Sequence, residues 1–528
     1  MLFNSYGFIF LFLPLTLAGF FWLARFSHAY AAGWLAAASL FFYGYWNPAY
    51  VGLLLGSIIC NYAFGLWIAK AGVRHDAAGK KRLLIFSISA NLALLGYYKY
   101  ANFFLDNVNA LSGSHLSLGS IILPLGISFF TFTQIAFLVD TYQGKVKEYN
   151  FIHYCLFVTF FPHLIAGPVL HHKEMMPQFG KESTYRFSYE NLAVGLTIFF
   201  IGLFKKVVIA DNVAEYVGPV FSAPASGVQL TFIEAWGGAL CYTFQLYFDF
   251  SGYSDMAIGL SRMFGVVLPL NFHSPFKAVN IIDFWQRWHM TLTRYIKDYL
   301  YTPITLAGTR RGLGKAAPVE VLYSLIAPTL IIFLILGLWH GASWNFVLFG
   351  AMHGAMIVIN HLWHMRPFWK RSKKLPPTRI GRALGWLLTF AGVNLAFVIF
   401  RADNLATALS FYQSMLGANG FVIPDDWLAK WGAFGQWLSM HDVAFGAHHG
   451  LIGGGAVNWM WILLLIVLLA PNTQQIMQHY KPALGIPAMS ATRLEWRPTF
   501  KAAALVWLLG FIALINLNKQ SAFLYFQF

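Results

Sequence analysis

Two histidines, His289 and His340, stand in stretches of this chain that are otherwise apolar. Imidazole is the side chain best suited to exchanging a proton near neutral pH. His289 lies in FWQRWHMTLTRYIKDYLY (284–301), where Trp285, His289, Leu292 and Ile296 recur at steps of three and four and predict a single helical face. Asp283 and Arg287 take the i,i+4 spacing of a helix ion pair. His340 closes the apolar run 330–339 and is followed by Gly341, Ala342 and Ser343, a break that opens the backbone beside the ring. An ionisable side chain at membrane depth is costly to keep, so each histidine is a functional candidate. The competing reading is a ring merely hydrogen-bonded in a packed interior. The break beside His340 favours function there, with general acid–base work the chemistry an imidazole offers.

The elements that must hold these residues are membrane helices. Of the 528 residues, 58% are hydrophobic, 18% aromatic and only 11% charged, with a mean hydropathy of +0.58. A soluble chain carries about a quarter charged residues. The composition predicts an all-α, polytopic transmembrane bundle. The net charge of +16 would suit nucleic acid, but the basic residues collect in short loops between apolar runs, a positive-inside pattern that excludes that reading. Cys60, Cys155 and Cys241 lie far apart in apolar segments, with no metal or redox spacing. The N-terminal run lacks a basic n-region and reads as a retained first span.

Spans are predicted at 6–22, 31–46, 50–68, 83–97, 123–144, 191–204, 233–246 leading into 247–265, 323–338, 345–359, 384–399, 459–469 and 502–517. The piece 99–115 reads as short and irregular or interfacial. Ser128, Thr131, Thr133 and Gln134 are residues of the kind that bond between helices. FPHLIAGPV (161–169) predicts a broken or re-entrant segment. His163, His171 and His172 cluster near it without metal-ligand geometry. Lys205–Lys206 reads as the inner edge of a span. Asp249 and Asp255, set among hydroxyls, favour structural hydrogen bonding over paired-acid chemistry. TPITLAGTRRGLGK (302–315) reads as a glycine-rich basic loop without P-loop spacing.

The loop 366–382 carries Arg366, Lys370, Arg371, Lys373, Lys374, Arg379 and Arg382 and no acid, the strongest cytoplasmic marker. The basic loop 70–82 sets the N-terminus outside, and the basic loops 310–315 and 366–382 enclose a two-span hairpin with His340 at or near its outer turn. Residues 419–454, with Trp427, Trp431, Trp437 and the pair His448–His449, read as a long outer loop. No stretch is polar enough for a soluble domain.

LPLGISFFTF (123–132), FPHLIAGPV (161–169), LYFDFSGYSDMAIGL (246–260), FWQRWHMTL (284–292), LWHGASWNFVLFGAMHG (338–354), FRADN (400–404) and PNTQQIM (471–477) together resemble the membrane-bound O-acyltransferase family. They are most similar to its bacterial alginate O-acetyltransferase branch, and the resemblance runs over nearly the whole chain. It implies one integral acyltransferase domain of the whole chain. Peripheral spans occupy about 1–115, a catalytic core about 120–400 and C-terminal spans about 401–528, around a central tunnel. His340 of the WHG motif matches the family's essential histidine, and His289 of RWH its second prominent one. Asn345, Ser343, Trp339, Trp288, Arg287, Asp249 and Tyr253 make up the candidate substrate-binding set. His353, thirteen residues beyond His340, takes a structural role. The chain departs from the family at LAGTRRG (306–312), where relatives carry GGNR.

The implied activity is O-acetyl transfer to an exported polysaccharide, alginate- or cellulose-like, in the bacterial inner membrane. The donor would be acetyl-CoA or another acyl thioester, with no bound cofactor or metal. A periplasmic SGNH-type acetyltransferase would be a partner or recipient. The alternatives are D-alanyl transfer to teichoic acid and a transporter without covalent chemistry, which broken segments also suit.

Overall fold

In lipid a backbone must satisfy its own N–H and C=O groups, so apolar runs of this length resolve into helices. The computed structural model describes residues 1–165, 167–365, 378–441, 443–446, 451–487, 492, 494–517 and 524. Among them the sole strands are Val422–Pro424 and Ala444–Gly446, paired in parallel; the rest of the regular structure is helical, as expected. Among the described residues five helices have the length and apolarity to cross a membrane: Ala49–Val73, Tyr189–Ser226, Ala317–His340, Trp344–Met365 and Arg379–Arg401. Shorter apolar helices cover Phe8–Ala24, Gly455–Leu469 and Phe500–Ile515.

The chain forms two compact units. The first comprises Met1–Phe204, Gly252–Asn271 and Thr473–Asn518. Within it Leu13–Ala24 packs on His28–Gly44, Ala49–Val73 on Ala77–Leu95, and Ile127–Tyr142 on both members of the latter pair. Gln134 is the interhelical bridge its segment promised: its Nε2 donates to Ser57 Oγ at 2.9 Å and its Oε1 accepts from Tyr154 at 3.3 Å. Thr133 instead donates to Phe129 O on its own helix. The FPHLIAGPV segment is broken as expected, with helix Phe151–Thr159 stopping at Phe160 and one turn, Phe161–Leu164, following. Residues 99–115 are not irregular: Ala101–Ser112 is a regular helix, ended by Gly113 in the left-handed conformation.

The second unit comprises Lys205–Ser251, Phe272–Asn472 and Lys519–Phe528. Its centre is a hairpin of Ala327–His340 and Trp344–Met365, with Arg379–Arg401 packed on the second arm. The arms touch backbone to backbone. A Cβ at Gly337 would lie 2.1 Å from Phe346 O, and one at Gly350 2.0 Å from Phe333 O. Small residues allow such approach, and it fixes the hairpin that ends on His340. Gly350→Ala is expected to force the arms apart at a cost of about 1–3 kcal/mol, read as a lower thermal-aggregation midpoint in detergent.

Three expectations change in this unit. The segment 302–315 is helical from Thr302 to Gly312, not a loop. Gly308 is a packing glycine there, because a Cβ would fall 2.0 Å from Tyr323 O. The helix does not stop at Lys205–Lys206 but continues to Ser226 through a π-helical turn at Lys205–Ala210. The long loop holds a helix, Asp425–Met440, kinked at Gly432. Of the basic loop 366–382, Arg379 and Arg382 start the last arm. Arg366, Lys370, Arg371, Lys373 and Lys374 lie outside the described residues, as do His448 and His449.

Candidate active site

His340 is the last residue of its helix because Gly341 turns extended, with φ −164° and ψ 154°. The ring is left half-buried at the hairpin's turn. It meets Trp339, Phe400 and Phe349 edge-on, at centroid separations of 4.8, 5.2 and 5.7 Å. His289 comes to the same place from another element. Its ring lies 6.4 Å from the Trp339 indole, tilted by 55°, and 4.8 Å from Phe250, edge-on. The two motif histidines therefore flank one indole, within an aromatic enclosure of a single unit. Trp339 supplies a buried wall between them.

The helical face drawn through His289 does not exist as a continuous surface. The helix Ile281–Trp285 stops, the chain turns, and helix Met290–Ile296 starts after His289, which sits at φ 45° and ψ 50°. A non-glycine residue in that region costs about 1–2 kcal/mol. Such outliers persist where surrounding contacts over-determine them, often at active sites. Here Thr293 Oγ1 donates to Trp285 O at 3.2 Å across the turn. Arg287 Nε donates to Asp283 Oδ1 at 2.6 Å, the ion pair its spacing predicted. Burial pushes the His289 imidazole down to about 3, leaving the ring neutral at physiological pH.

His353 enters this frame through the turn at 341–343, which folds the chain back and overrides the distance expected of one straight helix. Trp285 Nε1 donates to His353 Nδ1 at 3.3 Å. An indole N–H can only donate, so Nδ1 accepts and the neutral ring carries its proton on Nε2. His353 thereby ties the helix after WHG to the helix before RWH, a structural role. His353→Asn, with an acceptor near the Nδ1 position, is expected to keep most activity. His353→Leu is expected to lose roughly tenfold or more, about 1–3 kcal/mol for an orphaned buried donor, in an assay of initial transfer rate.

The other sequence candidates separate. Asn345 Nδ2 donates to Ala402 O at 2.6 Å, joining WHG to the FRADN segment. Ser343 lies just before the second arm and its carbonyl accepts from Val347 N. Trp288 is buried, stacked on Phe284 at 5.6 Å. Tyr253 belongs to the first unit, where it stacks on Phe3 at 4.7 Å. Asp255 is also in that unit and accepts from Thr473 Oγ1 at 2.6 Å and Gln474 Nε2 at 3.2 Å, the structural hydrogen bonding its neighbours suggested.

Asp249 lies in the second unit and has a partner that composition alone hid. Lys206 Nζ lies 2.7 Å from Asp249 Oδ1 and 2.7 Å from Asp211 Oδ1, all three side chains 2% exposed. The π-helical turn makes the pair, because its i→i+5 geometry stacks residues five apart that an α-helix would splay. A lysine and an aspartate five apart in an apolar run were the available signal.

The family model of membrane-bound O-acyltransferases matches residues 139–400. A peptidoglycan O-acetyltransferase of Helicobacter pylori is 40% identical over 100% of this chain and 98% of its own length. A protein of Pseudomonas putida described as a probable alginate O-acetylase is 34% identical over 100% of both chains. A teichoic acid D-alanyltransferase of Bacillus subtilis is 28% identical over 62% of this chain and 86% of its own. With the helical membrane fold, these likenesses make the chain a member of the membrane-bound O-acyltransferase family, a multi-pass membrane O-acyltransferase.

Proposed function

We propose that this enzyme moves acetyl groups from a cytoplasmic thioester, such as acetyl-CoA, to hydroxyls of an envelope or exported glycan. The observation that carries the reading is the pairing of His340 and His289 about Trp339 in one aromatic enclosure. His340, half-buried at the hairpin turn, is the base. As its ring nitrogen takes the acceptor's hydroxyl proton, that oxygen attacks the thioester carbonyl carbon. The C–S bond breaks, and the proton passes to the departing thiolate. Net charge is unchanged, and the water-poor enclosure strengthens each polar contact the reacting groups make. Neutral His289 serves as a second acid–base or orienting group.

The loops' positive charge supports a bacterial inner-membrane location with the hairpin turn on the outer side, where a glycan acceptor stands. Peptidoglycan and alginate are the acceptors named among the full-length relatives, which favours a glycan over teichoic acid. An SGNH-type periplasmic acetyltransferase would fit as recipient or partner.

The test supplies acetyl-labelled acetyl-CoA to membranes containing the protein, with peptidoglycan or alginate as acceptor. Hydroxylamine-labile label in the glycan is expected. Transfer of D-alanine from a carrier protein, with no acetyl transfer, would replace this reading by the D-alanyl one. Glycan movement without thioester consumption would make the protein a transporter.

A further inference from the structure

The Asp425–Met440 helix plays no part in the site above, yet it carries an exposed row of rings. Trp427, Trp431, Phe434, Trp437 and His441 follow at steps of three and four, and each ring meets the next. The centroid separations are 5.1, 5.9, 6.0 and 4.2 Å, continuous through the kink at Gly432. Among the described residues the outer part of the row is left uncovered: Trp431 is 37% exposed, Phe434 58% and Trp437 52%. Gln436 and Ser439 stand on the other side of the helix and are exposed as well. The helix packs against the two short strands and leaves its aromatic face unpartnered.

What covers that face follows from charge and tethering. The helix holds Asp425, Asp426 and Lys430 and no other charged residue, so no basic surface draws it to an anionic partner. It is strung between two apolar helices, the membrane-crossing Arg379–Arg401 and the shorter Gly455–Leu469. The latter exposes Trp461, Ile462, Leu465 and Leu469, an apolar surface suited to lipid. A segment tied at both ends to helices seated in the bilayer meets the membrane surface at high effective concentration and needs no electrostatic attraction. Tryptophan prefers that interface, where the ring is apolar and the N–H stays wet. Lys430, at the edge of the row, has the stem to reach back to water.

We propose that Asp425–Met440 is an interfacial anchor. It lies in the bilayer surface with the Trp427–Trp437 row turned into the boundary between headgroups and acyl chains of uncharged lipid.

The test uses the full chain with Cys60, Cys155 and Cys241 replaced by alanine, reconstituted in phosphatidylcholine vesicles. A nitroxide is placed at Phe434→Cys or at Gln436→Cys. The label at 434 is expected to collide several-fold more with oxygen than with a water-soluble nickel chelate, and the label at 436 the reverse. Equal chelate access at both positions would overturn the anchor, because the face would then be open to water. Access of neither reagent to 434 would overturn it in favour of a protein covering. If the cysteine-free chain does not accumulate, brominated phosphatidylcholine replaces the labels as quencher of native tryptophan fluorescence. The double variant Trp431→Gln/Trp437→Gln is then expected to lose part of the quenchable signal, and an unchanged quenchable fraction would overturn the anchor.

Discussion

His340→Ala is expected to lower acyl transfer by about 10²–10⁴-fold, the range a positioned general base supplies, with membrane abundance and melting behaviour unchanged. The ring is half-buried at the hairpin turn, edge-on to Trp339, Phe349 and Phe400. The measurement is initial transfer rate per mole of enzyme in membranes. A variant that transfers normally would remove His340 from the chemistry. The matching substitution at His289 must respect its backbone. At φ 45° an alanine would retain the strain and lose the ring together, confusing two effects. Asparagine tolerates the left-handed region, so His289→Asn keeps the turn and deletes the imidazole. A loss comparable to that of His340→Ala would make His289 a second acid–base group. A loss within about tenfold, roughly 1.4 kcal/mol, would make it an orienting one.

The sequence carried the helical class and the two histidines, because composition and period are local properties. The hairpin was legible from basic residues on either side of a glycine break, although those before it stand on a helix, and the Asp283–Arg287 pair was legible from spacing alone. What could not be read was where a period resumes after a turn. Trp285, His289 and Leu292 keep steps of three and four even though the helix stops between them, so the pattern cannot distinguish a face from a hinge. Glycine was ambiguous for a related reason. Gly308 in a basic, glycine-rich stretch reads as a loop residue, while its cause is the carbonyl of Tyr323 pressed against the helix. Charge was misread where burial changes its meaning. Lys206 looked like a membrane-edge lysine, and it stays buried between two carboxylates, Asp211 five positions on and Asp249 43 positions away.

That lysine is the basis of the largest expected stability effect. Lys206 lies between Asp211 and Asp249 at 2.7 Å from each, and the three side chains are 2% exposed. Asp249 also accepts Leu524 N at 3.2 Å, so the carboxylate is bound from a second direction. Desolvating such a group is expensive, and the attraction within it offsets that cost only while all members are present. Lys206→Met would leave two buried carboxylates facing an apolar side chain. The expected loss is about 3–5 kcal/mol, the cost of breaking a buried pair, seen as failure to accumulate or a strongly lowered thermal-aggregation midpoint. The triple variant Lys206→Met/Asp211→Asn/Asp249→Asn removes the imbalance and keeps the shapes. It is expected to recover most of that stability, since exchanging a whole buried ion group for neutral residues is often close to neutral. Recovery of stability with normal transfer would identify the triad as a lock between helices. Recovery of stability without transfer would place its charge in the reaction. A single Lys206→Met variant that melts like the wild type would mean that the interior tolerates the two carboxylates unpaired, and that the π-helical turn serves some purpose other than bringing Lys206 to Asp211.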